Sequence, residues 1–236
     1  MKGVFFGCTT RSNPLLIEPL ERFLELAGVE YKPLGKDLCC GAPLLLTGHM
    51  EEAREQAGKV RESAEGIDVI ITPCPHCYTT LKKEYPHLLG DENPFKVVHF
   101  SAFAHELVKE GKITLKKELK KTLTYHDPCY VGRQGDGIYE EPREVIKAIK
   151  GVEFRELPLS RERSTCCGGG GLLRAYLPKL SRTVAEEKIE RQVIPLGVDG
   201  IVTSCPFCYV NLAEGAEGKE IEVYDLPSLL LSLMEE

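Results

Sequence analysis

The ten cysteines of this chain form one pattern that occurs twice. Each half of the 236-residue sequence carries a single cysteine, then a Cys-Cys-Gly element, then a Cys-x-x-Cys pair. In the first half 30 and 33 residues separate the three elements, and in the second half 36 and 37 residues separate them. The two sets are Cys8, Cys39, Cys40, Cys74 and Cys77, and Cys129, Cys166, Cys167, Cys205 and Cys208. A period of roughly 125 residues indicates an internal duplication of a domain and not a solenoid.

The residues around the cysteines repeat as well. Ile-Ile-Thr-Pro-Cys-Pro-His-Cys-Tyr at 70–78 corresponds to Ile-Val-Thr-Ser-Cys-Pro-Phe-Cys-Tyr at 201–209. The sequence therefore predicts a first domain over residues 1–110 and a second over 122–236. The polar, lysine-rich segment 111–121 is the predicted linker.

Apolar runs of strand length alternate with segments of helical spacing in both halves. Strands are predicted at 2–7, 29–34, 69–72, 96–100, 123–126, 153–157, 200–203 and 221–224. Helices are predicted at 14–27, 50–64, 102–109, 142–150, 181–196 and 226–234. This alternation favours an α/β fold of two homologous domains, each a small, mainly parallel sheet flanked by helices. Because a cysteine follows several strands, and sites form beyond the carboxyl ends of parallel strands, each half should gather its five thiols at one sheet edge.

Charge and hydropathy exclude two classes of protein. The formal net charge is −6 and the chain has no basic block, so nucleic-acid binding is not expected. No apolar run reaches the roughly 18 residues that span a membrane, and the N-terminal residues are too few for a signal sequence. We therefore expect a cytoplasmic protein, which partner subunits could bring to a membrane.

Five thiols per half suit an iron–sulfur centre better than a zinc site. In a reducing compartment, clustered cysteines indicate metal ligands or redox groups. Structural zinc takes four ligands, so five are one too many. An iron–sulfur cluster also takes four cysteines as a rule, and a fifth fits an unusual cluster or a reactive thiol. Gly41 and the run Gly168–Gly171 would let backbone amides approach sulfide closely. A zinc-structured binding module, or zinc in one half only, stays open as an alternative.

The sequence resembles the Cys-Cys-Gly domains of the B subunits of heterodisulfide reductases and the matching part of the D subunits. The motifs that carry the resemblance are His-Asp-Pro-Cys-Tyr-Val-Gly-Arg at 126–133 and Cys-Cys-Gly-Gly-Gly-Gly at 166–171. The resemblance extends over nearly the whole chain, from Phe5 to the last predicted helix. Similar tandem domains occur in subunits of anaerobic glycerol-3-phosphate dehydrogenase, lactate-oxidation complexes and some succinate dehydrogenases.

The resemblance implies a noncubane [4Fe–4S] cluster in each half, held by all five cysteines, with a disulfide substrate cleaved between the two clusters. It thus implies an oxidoreductase subunit with clusters in one or both motifs, which acts on a small disulfide or thiol substrate, reducing a disulfide or passing electrons. The chain differs from larger relatives in having no ferredoxin-type cysteine motif, so we expect electrons to come from a ferredoxin-like iron–sulfur subunit, with a flavin subunit as a further partner. The alternative is a pure electron relay in a dehydrogenase of the lactate, glycerol-3-phosphate or succinate type.

Residues beside the cysteines are weaker candidates. His126 and Asp127 precede Cys129 and could form a proton relay, or could simply satisfy a strand end. His76 lies inside the first Cys-x-x-Cys pair, but its counterpart Phe207 favours a packing role. Three arginines near the motifs, Arg11, Arg133 and Arg174, are candidates for binding an anion or for setting a cluster potential. The remaining histidines, His49, His87, His99 and His105, are predicted to be surface or packing residues.

Overall fold

The computed structural model describes residues 1–234 and contains two four-stranded, fully parallel sheets. The strands of the first sheet are β1 (Lys2–Phe5), β2 (Lys32–Leu34), β3 (Val69–Thr72) and β4 (Lys96–His99). Those of the second are β5 (Thr122–His126), β6 (Glu153–Phe154), β7 (Gly200–Thr203) and β8 (Glu222–Asp225). The strand orders are β2-β1-β3-β4 and β6-β5-β7-β8, so the second sheet repeats the topology of the first.

Helices flank each sheet. The helices of the first half are α1 (Cys8–Arg11), α2 (Pro14–Leu26), α3 (Ala42–Leu46), α4 (Met50–Ser63), α5 (Pro75–Thr79), α6 (Tyr85–Leu89) and α7 (Phe100–Lys109). Those of the second are α8 (Glu140–Lys147), α9 (Leu173–Tyr176), α10 (Pro178–Lys188), α11 (Pro206–Gly215) and α12 (Leu226–Met234). The predicted α/β class and the internal duplication are confirmed.

Several predicted boundaries are wrong for identifiable reasons. The strand predicted from Val29 begins at Lys32, because the amide of Val29 bonds back to Leu24 and closes α2. The strand predicted over 153–157 keeps only two residues. The helix predicted over 181–196 begins three residues earlier, at Pro178, which suits the first position of a helix. After Lys188 it continues as a wider π-type turn over Ile189–Val193.

One hydrophobic core joins the two halves. α2 packs against α12, and α7 packs against α8, so helices of the two halves meet in one layer. The core formed there includes residues of both sheets and helices, among them Val4, Phe23, Phe100, Tyr125, Val202 and Leu230. Ile113, inside the segment predicted as a linker, is buried in the same core. The domain boundaries at 110 and 122 stay predictions, but the segment between them is packed against the rest of the chain.

Candidate metal centres

The five thiols of the first half lie against one another at the carboxyl edge of their sheet. Cys8 opens α1 shortly after β1, the Cys39–Cys40 pair precedes α3, and Cys74 and Cys77 begin α5. The thiols form a continuous chain of side-chain contacts in the order Cys8, Cys39, Cys40, Cys77, Cys74. The gathering of thiols that the strand ends predicted is therefore present in the first half.

The local backbone explains why these thiols converge. Gly41 adopts a left-handed conformation, φ +87°, which turns the chain immediately after Cys40 and starts α3. Pro75 occupies the first turn of α5, where its missing N–H is not needed. Thr72 at the end of β3 donates to the Phe5 carbonyl at 3.1 Å and accepts from the Cys74 amide at 3.3 Å. These contacts join the two strand ends that carry Cys8 and Cys74.

The second half gathers its thiols in the same way. The Sγ atoms of Cys167 and Cys208 lie 3.1 Å apart, and Cys205 lies against Cys208. Burial raises the pKa of the Cys129 thiol, and the nearby charges of Cys205 and Cys167 raise it further. Cys166 contacts Cys167 and is the exposed member of the set.

Backbone amides point at the sulfur atoms in both halves. Gly168 N–H donates to Cys166 Sγ at 3.2 Å, Gly169 N–H to Cys167 Sγ at 3.3 Å, and Cys208 N–H to Cys205 Sγ at 3.4 Å. In the first half, backbone N–H groups at Thr9, Gly41, Ala42 and His76 favour the thiolate form of the cysteines that they contact. Such donors stabilise thiolate ligands and sulfide, and they influence cluster potential.

The thiols cannot all ionise without a positive charge among them. The hydrogen bond from Cys39 is the largest cause that lowers the pKa of Cys40, and the bond to Cys40 is the largest that raises the pKa of Cys77. Cys166, Cys167 and Cys208 repeat this division in the second half. One thiolate is thus favoured at the expense of its neighbours. A bound soft cation or iron–sulfur cluster would allow all five to be thiolates.

A pocket of about 80 Å³ opens beside the first thiol set. It is lined by all five thiols of the first half and by Gly169, Gly170 and Gly171 of the second. In the second half His126 Nδ1 is buried without a hydrogen-bond partner in the described structure, as are the hydroxyls of Thr124 and Thr203. Buried polar atoms are rarely left unpaired unless an ion, water or ligand completes the site.

The two thiol sets face each other across the boundary between the halves. The Gly169–Gly171 loop and Phe207 of the second half border the first-half pocket. Elsewhere on this boundary the His76 ring stacks on Tyr130 at a centroid distance of 3.9 Å, and Thr79 donates to the Tyr130 carbonyl at 2.6 Å. Cys74 and Cys205 are near enough that the charge of Cys74 raises the pKa of Cys205, although burial is the larger cause.

The structure brings only one of the two predicted relay residues to the thiols. A ring nitrogen of His126 and the thiols of Cys167 and Cys208 lie within 4.8 Å of one another. Asp127 instead accepts hydrogen bonds from the two terminal guanidinium nitrogens of Arg143, at 2.7 and 2.8 Å. It also accepts one from the backbone amide of Arg161, at 2.8 Å. The contacts of Asp127 are those of a buried anchor, and a catalytic role for it stays an untested prediction.

The three arginines near the motifs are tied to protein groups. Arg11 donates to the carbonyls of Gly35 and Leu38, and Arg133 donates to the carbonyl of Ser164 at 2.6 Å. Arg174 pairs with Glu214 and donates to Asn211 at 3.0 Å. Each therefore holds a loop beside a cysteine element. Burial lowers the pKa of His76 to about 4, so the stacked imidazole is neutral, in keeping with packing.

Two functional candidates carry no obvious sequence signal. Lys188 on α10 is buried, and burial lowers its pKa to about 8, while the charges of Cys167 and Cys208 oppose that shift. His99 at the end of β4 is fully buried: its Nε2 lies 3.3 Å from the carbonyl of Pro73, and the backbone of Ser204 also bonds the ring. His99 thus contacts the residues that precede Cys74 and Cys205. Aligning the two halves would have drawn attention to Lys188, because Val60 stands at the corresponding position.

The fold and the two thiol sets define a duplicated cysteine-rich α/β protein, and comparison with known families agrees. The sequence model of the CCG family, described as "Cysteine-rich domain", matches residues 3–82 and again residues 123–213. This chain belongs to that family. No helix in the part of the chain that the structure describes is long and apolar enough to cross a membrane.

The chain is also similar to curated oxidoreductase subunits and to an iron–sulfur protein. It is 37% identical over 231 residues to the D subunit of the dihydromethanophenazine:CoB–CoM heterodisulfide reductase of Methanosarcina acetivorans, over 94% of this chain and 56% of that protein. It is 32% identical to the B subunit of the fumarate reductase (CoM/CoB) of Methanothermobacter marburgensis, over 97% of this chain and 45% of that protein. An uncharacterised iron–sulfur protein of Methanocaldococcus jannaschii is 30% identical, over 90% of this chain and 42% of that protein. The chain spans about half the length of the curated relatives that it matches.

Proposed function

We propose that this chain is an iron–sulfur redox subunit of a heterodisulfide-reductase-like complex, with one noncubane [4Fe–4S] cluster in each half. The observation that carries the proposal is the pair of complete five-thiol sets, with Cys74 of the first set close to Cys205 of the second. The ligands would be Cys8, Cys39, Cys40, Cys74 and Cys77 in the domain of residues 1–110, and Cys129, Cys166, Cys167, Cys205 and Cys208 in the domain of residues 122–236.

The chemistry follows from electron counting. Cleaving a disulfide to two thiolates takes two electrons, and an iron–sulfur cluster, when bound, exchanges one electron at a time. Two centres on either side of a small disulfide would deliver both electrons without releasing a sulfur radical. The protein's part is to hold ten thiolates, to direct backbone amides at them, and to leave a pocket open beside the first-half set.

The partners in this proposal supply or remove electrons. A ferredoxin-like iron–sulfur subunit would exchange electrons with this chain, and a flavin subunit would complete the complex. The relatives are named as subunits of oxidoreductases, which supports a role inside a larger assembly. Such an assembly would work in the cytoplasm.

A pure electron relay is the second candidate function. Cys74 and Cys205 are both buried and lie close together, and His99 contacts the loops that precede them. These contacts favour a direct path for electrons between the two thiol sets. In that case the protein would pass electrons without handling a substrate.

One experiment separates these functions. The paired variant Cys39→Ser/Cys40→Ser should retain iron only in the second half, and Cys166→Ser/Cys167→Ser only in the first. Each is purified anaerobically, reduced with dithionite, mixed with 2-hydroxyethyl disulfide, and examined by EPR and thiol release. We expect the disulfide to change the spectrum of the wild type and to be cleaved, and each paired variant to lose most of the cleavage.

Two results would count against disulfide reduction. Undiminished cleavage by a variant with one remaining centre would contradict the two-centre mechanism. A wild-type spectrum that the disulfide leaves unchanged, together with rapid electron transfer to a dye, would favour the relay.

A further inference from the structure

The two thiol sets differ in the polarity of their surroundings. To compare them, equivalent positions of the two halves are needed. A Cβ added at Gly41 would lie next to the carbonyl of Ala53 and the side chain of Gln56, and one added at Gly168 would lie next to the carbonyl of Ser181 and the side chain of Val184. Ala53 and Ser181 thus occupy the same place in the two halves, as do Gln56 and Val184. Counting seven residues along α4 from Ala53 and along α10 from Ser181 shows that Val60 of the first half corresponds to Lys188 of the second.

The strands give a second such pair. Val4 pairs with Ile71 in β3, and Tyr125 pairs with Val202 in β7, which is the corresponding strand of the second half. The next residue along is Phe5 in the first half and His126 in the second. Phe5 and His126 are both buried. At two duplicated positions, therefore, an apolar side chain in the first half is replaced by a nitrogen base or a cation in the second.

Among the residues that the structure describes, none offers Lys188 the carboxylate partner that a buried ammonium normally has. Its side chain is 2% exposed, and its hydrogen bonds in the described chain go to the carbonyl of Thr165 at 3.2 Å and the hydroxyl of Thr165 at 2.9 Å. Both are uncharged acceptors. A buried charge is costly unless an opposite charge lies close by. Thr165 directly precedes Cys166, so these hydrogen bonds place the ammonium beside the second-half thiols. The thiolate charges of Cys167 and Cys208 would favour its charged form.

His126 adds a polar group on the same side. Its ring nitrogen lies within 4.8 Å of both Cys167 and Cys208, and its Nδ1 is buried without a partner in the described structure. The first half offers the phenyl ring of Phe5 and the side chain of Val60 at the places of His126 and Lys188. Neither of these two side chains carries a charge or a hydrogen-bond donor.

We propose that Lys188 and His126 make the second-half iron–sulfur centre the more easily reduced of the two. This inference rests on the proposed function. Reduction adds one negative charge to the centre, and a cation or donor in a buried, weakly screened environment stabilises the added charge. The second half would therefore take up an electron first, and the first-half centre beside the open pocket would be the stronger reductant. Lys188 and His126 act here as tuning residues and not as ligands.

The test is an EPR-monitored redox titration with dithionite and mediators on anaerobically purified full-length protein. The titration is run in the Cys39→Ser/Cys40→Ser background, where only the second half holds a cluster, and in the Cys166→Ser/Cys167→Ser background. We expect a higher midpoint potential for the second-half centre. Lys188→Met should lower that potential by at least the equivalent of a tenfold change in the reduction equilibrium, about 59 mV for one electron. His126→Phe should shift it in the same direction.

Matched controls isolate the effect of charge. Lys179→Met removes an exposed lysine from the same helix and should leave both potentials unchanged. Lys188→Arg keeps the charge and should retain most of the wild-type value. If Lys188→Met loses iron, the comparison of His126→Phe with wild type decides the question.

Each outcome has a definite meaning. Equal midpoint potentials in the two backgrounds, or variants at both positions whose potentials match the wild type with full iron content, would overturn the inference while leaving the proposed function standing. Wild-type protein without iron and sulfide would overturn both.

Discussion

At the scale of single residues, the second half is the more polar copy of the duplicated domain. Arg143 is completely buried on α8 and lies between two carboxylates, Asp127 and Glu156. Its guanidinium also donates to the Tyr139 carbonyl at 2.6 Å. This cluster anchors Asp127, which directly follows the end of β5 at His126 and lies two residues before Cys129. Its role is to fix the strand end from which the second thiol set is built.

Removing Arg143 should therefore destabilise the protein strongly. In Arg143→Leu the carboxylate of Asp127 stays buried without its partner, which costs about 3–5 kcal/mol. For a chain of this size that corresponds to a fall in melting temperature on the order of 10 °C. Anaerobic differential scanning calorimetry would measure it. Arg61→Leu, which breaks a partly exposed pair with Asp91, should change the melting temperature little, and equal effects for the two variants would contradict the assignment.

Asp225 gives stability a predictable pH dependence. It is 4% exposed, and burial raises the pKa of its carboxyl from 3.8 to about 7. Between these values the folded protein keeps a proton that the unfolded chain releases, so stability falls as pH rises through this window. In Asp225→Asn no buried carboxylate has to ionise, and the amide oxygen can still accept a hydrogen bond from the Ser228 hydroxyl. We expect its stability relative to wild type to be about 2 kcal/mol greater at pH 8 than at pH 5, measured as the difference in melting temperature. A difference independent of pH would refute the explanation.

At the scale of elements, the sequence predicted the framework but not the turns that hold the thiols. Strand ends could be predicted because β1, β3, β5 and β7 are short apolar runs shortly before cysteines. The helices that begin within the Cys-x-x-Cys pairs, α5 and α11, were missed because α5 has only five residues and α11 is apolar on most sides. The burial of Lys188 and Arg143 was hidden because lysine and arginine in polar helices normally face water.

The glycine run after Cys167 offers a sharp pair of variants. Gly168 has φ +82°, and an added Cβ would lie 2.6 Å from the Ser181 carbonyl and 2.9 Å from Val184. Gly168→Ala should cost about 2–4 kcal/mol, from the left-handed backbone and the steric overlap together, and should deplete iron from the second half. An added Cβ at Gly170 meets nothing within 4 Å, so Gly170→Ala should retain iron and stability. Iron analysis and melting temperature measure both; a tolerated Gly168→Ala would contradict the proposed turn.

At the scale of the whole molecule, the duplicated halves share one hydrophobic core. The layer of α2, α7, α8 and α12 buries apolar side chains of both halves in a single core. The sequence predicted two domains but could not show this shared core, because periodicity reveals which face of a helix is apolar and not which helix covers it. The facing thiol sets are a consequence of the same packing.

A shared core predicts cooperative unfolding. Leu230 on α12 is fully buried in that core, so Leu230→Ala should cost about 2–5 kcal/mol. Because the halves share the core, the variant should lower one common transition, seen alike by near-ultraviolet circular dichroism and by iron–sulfur absorbance. Two separate transitions, of which only the second-half one moves, would show that the halves are independent.

The central claim is that each half holds an iron–sulfur cluster in its five thiols. The most direct test measures iron, acid-labile sulfide and zinc per chain in protein that has never been exposed to air, together with its EPR spectrum. Two [4Fe–4S] clusters predict about eight irons and eight sulfides per chain and little zinc. One or two zinc ions without sulfide would contradict the claim and would point to a zinc-structured binding module instead.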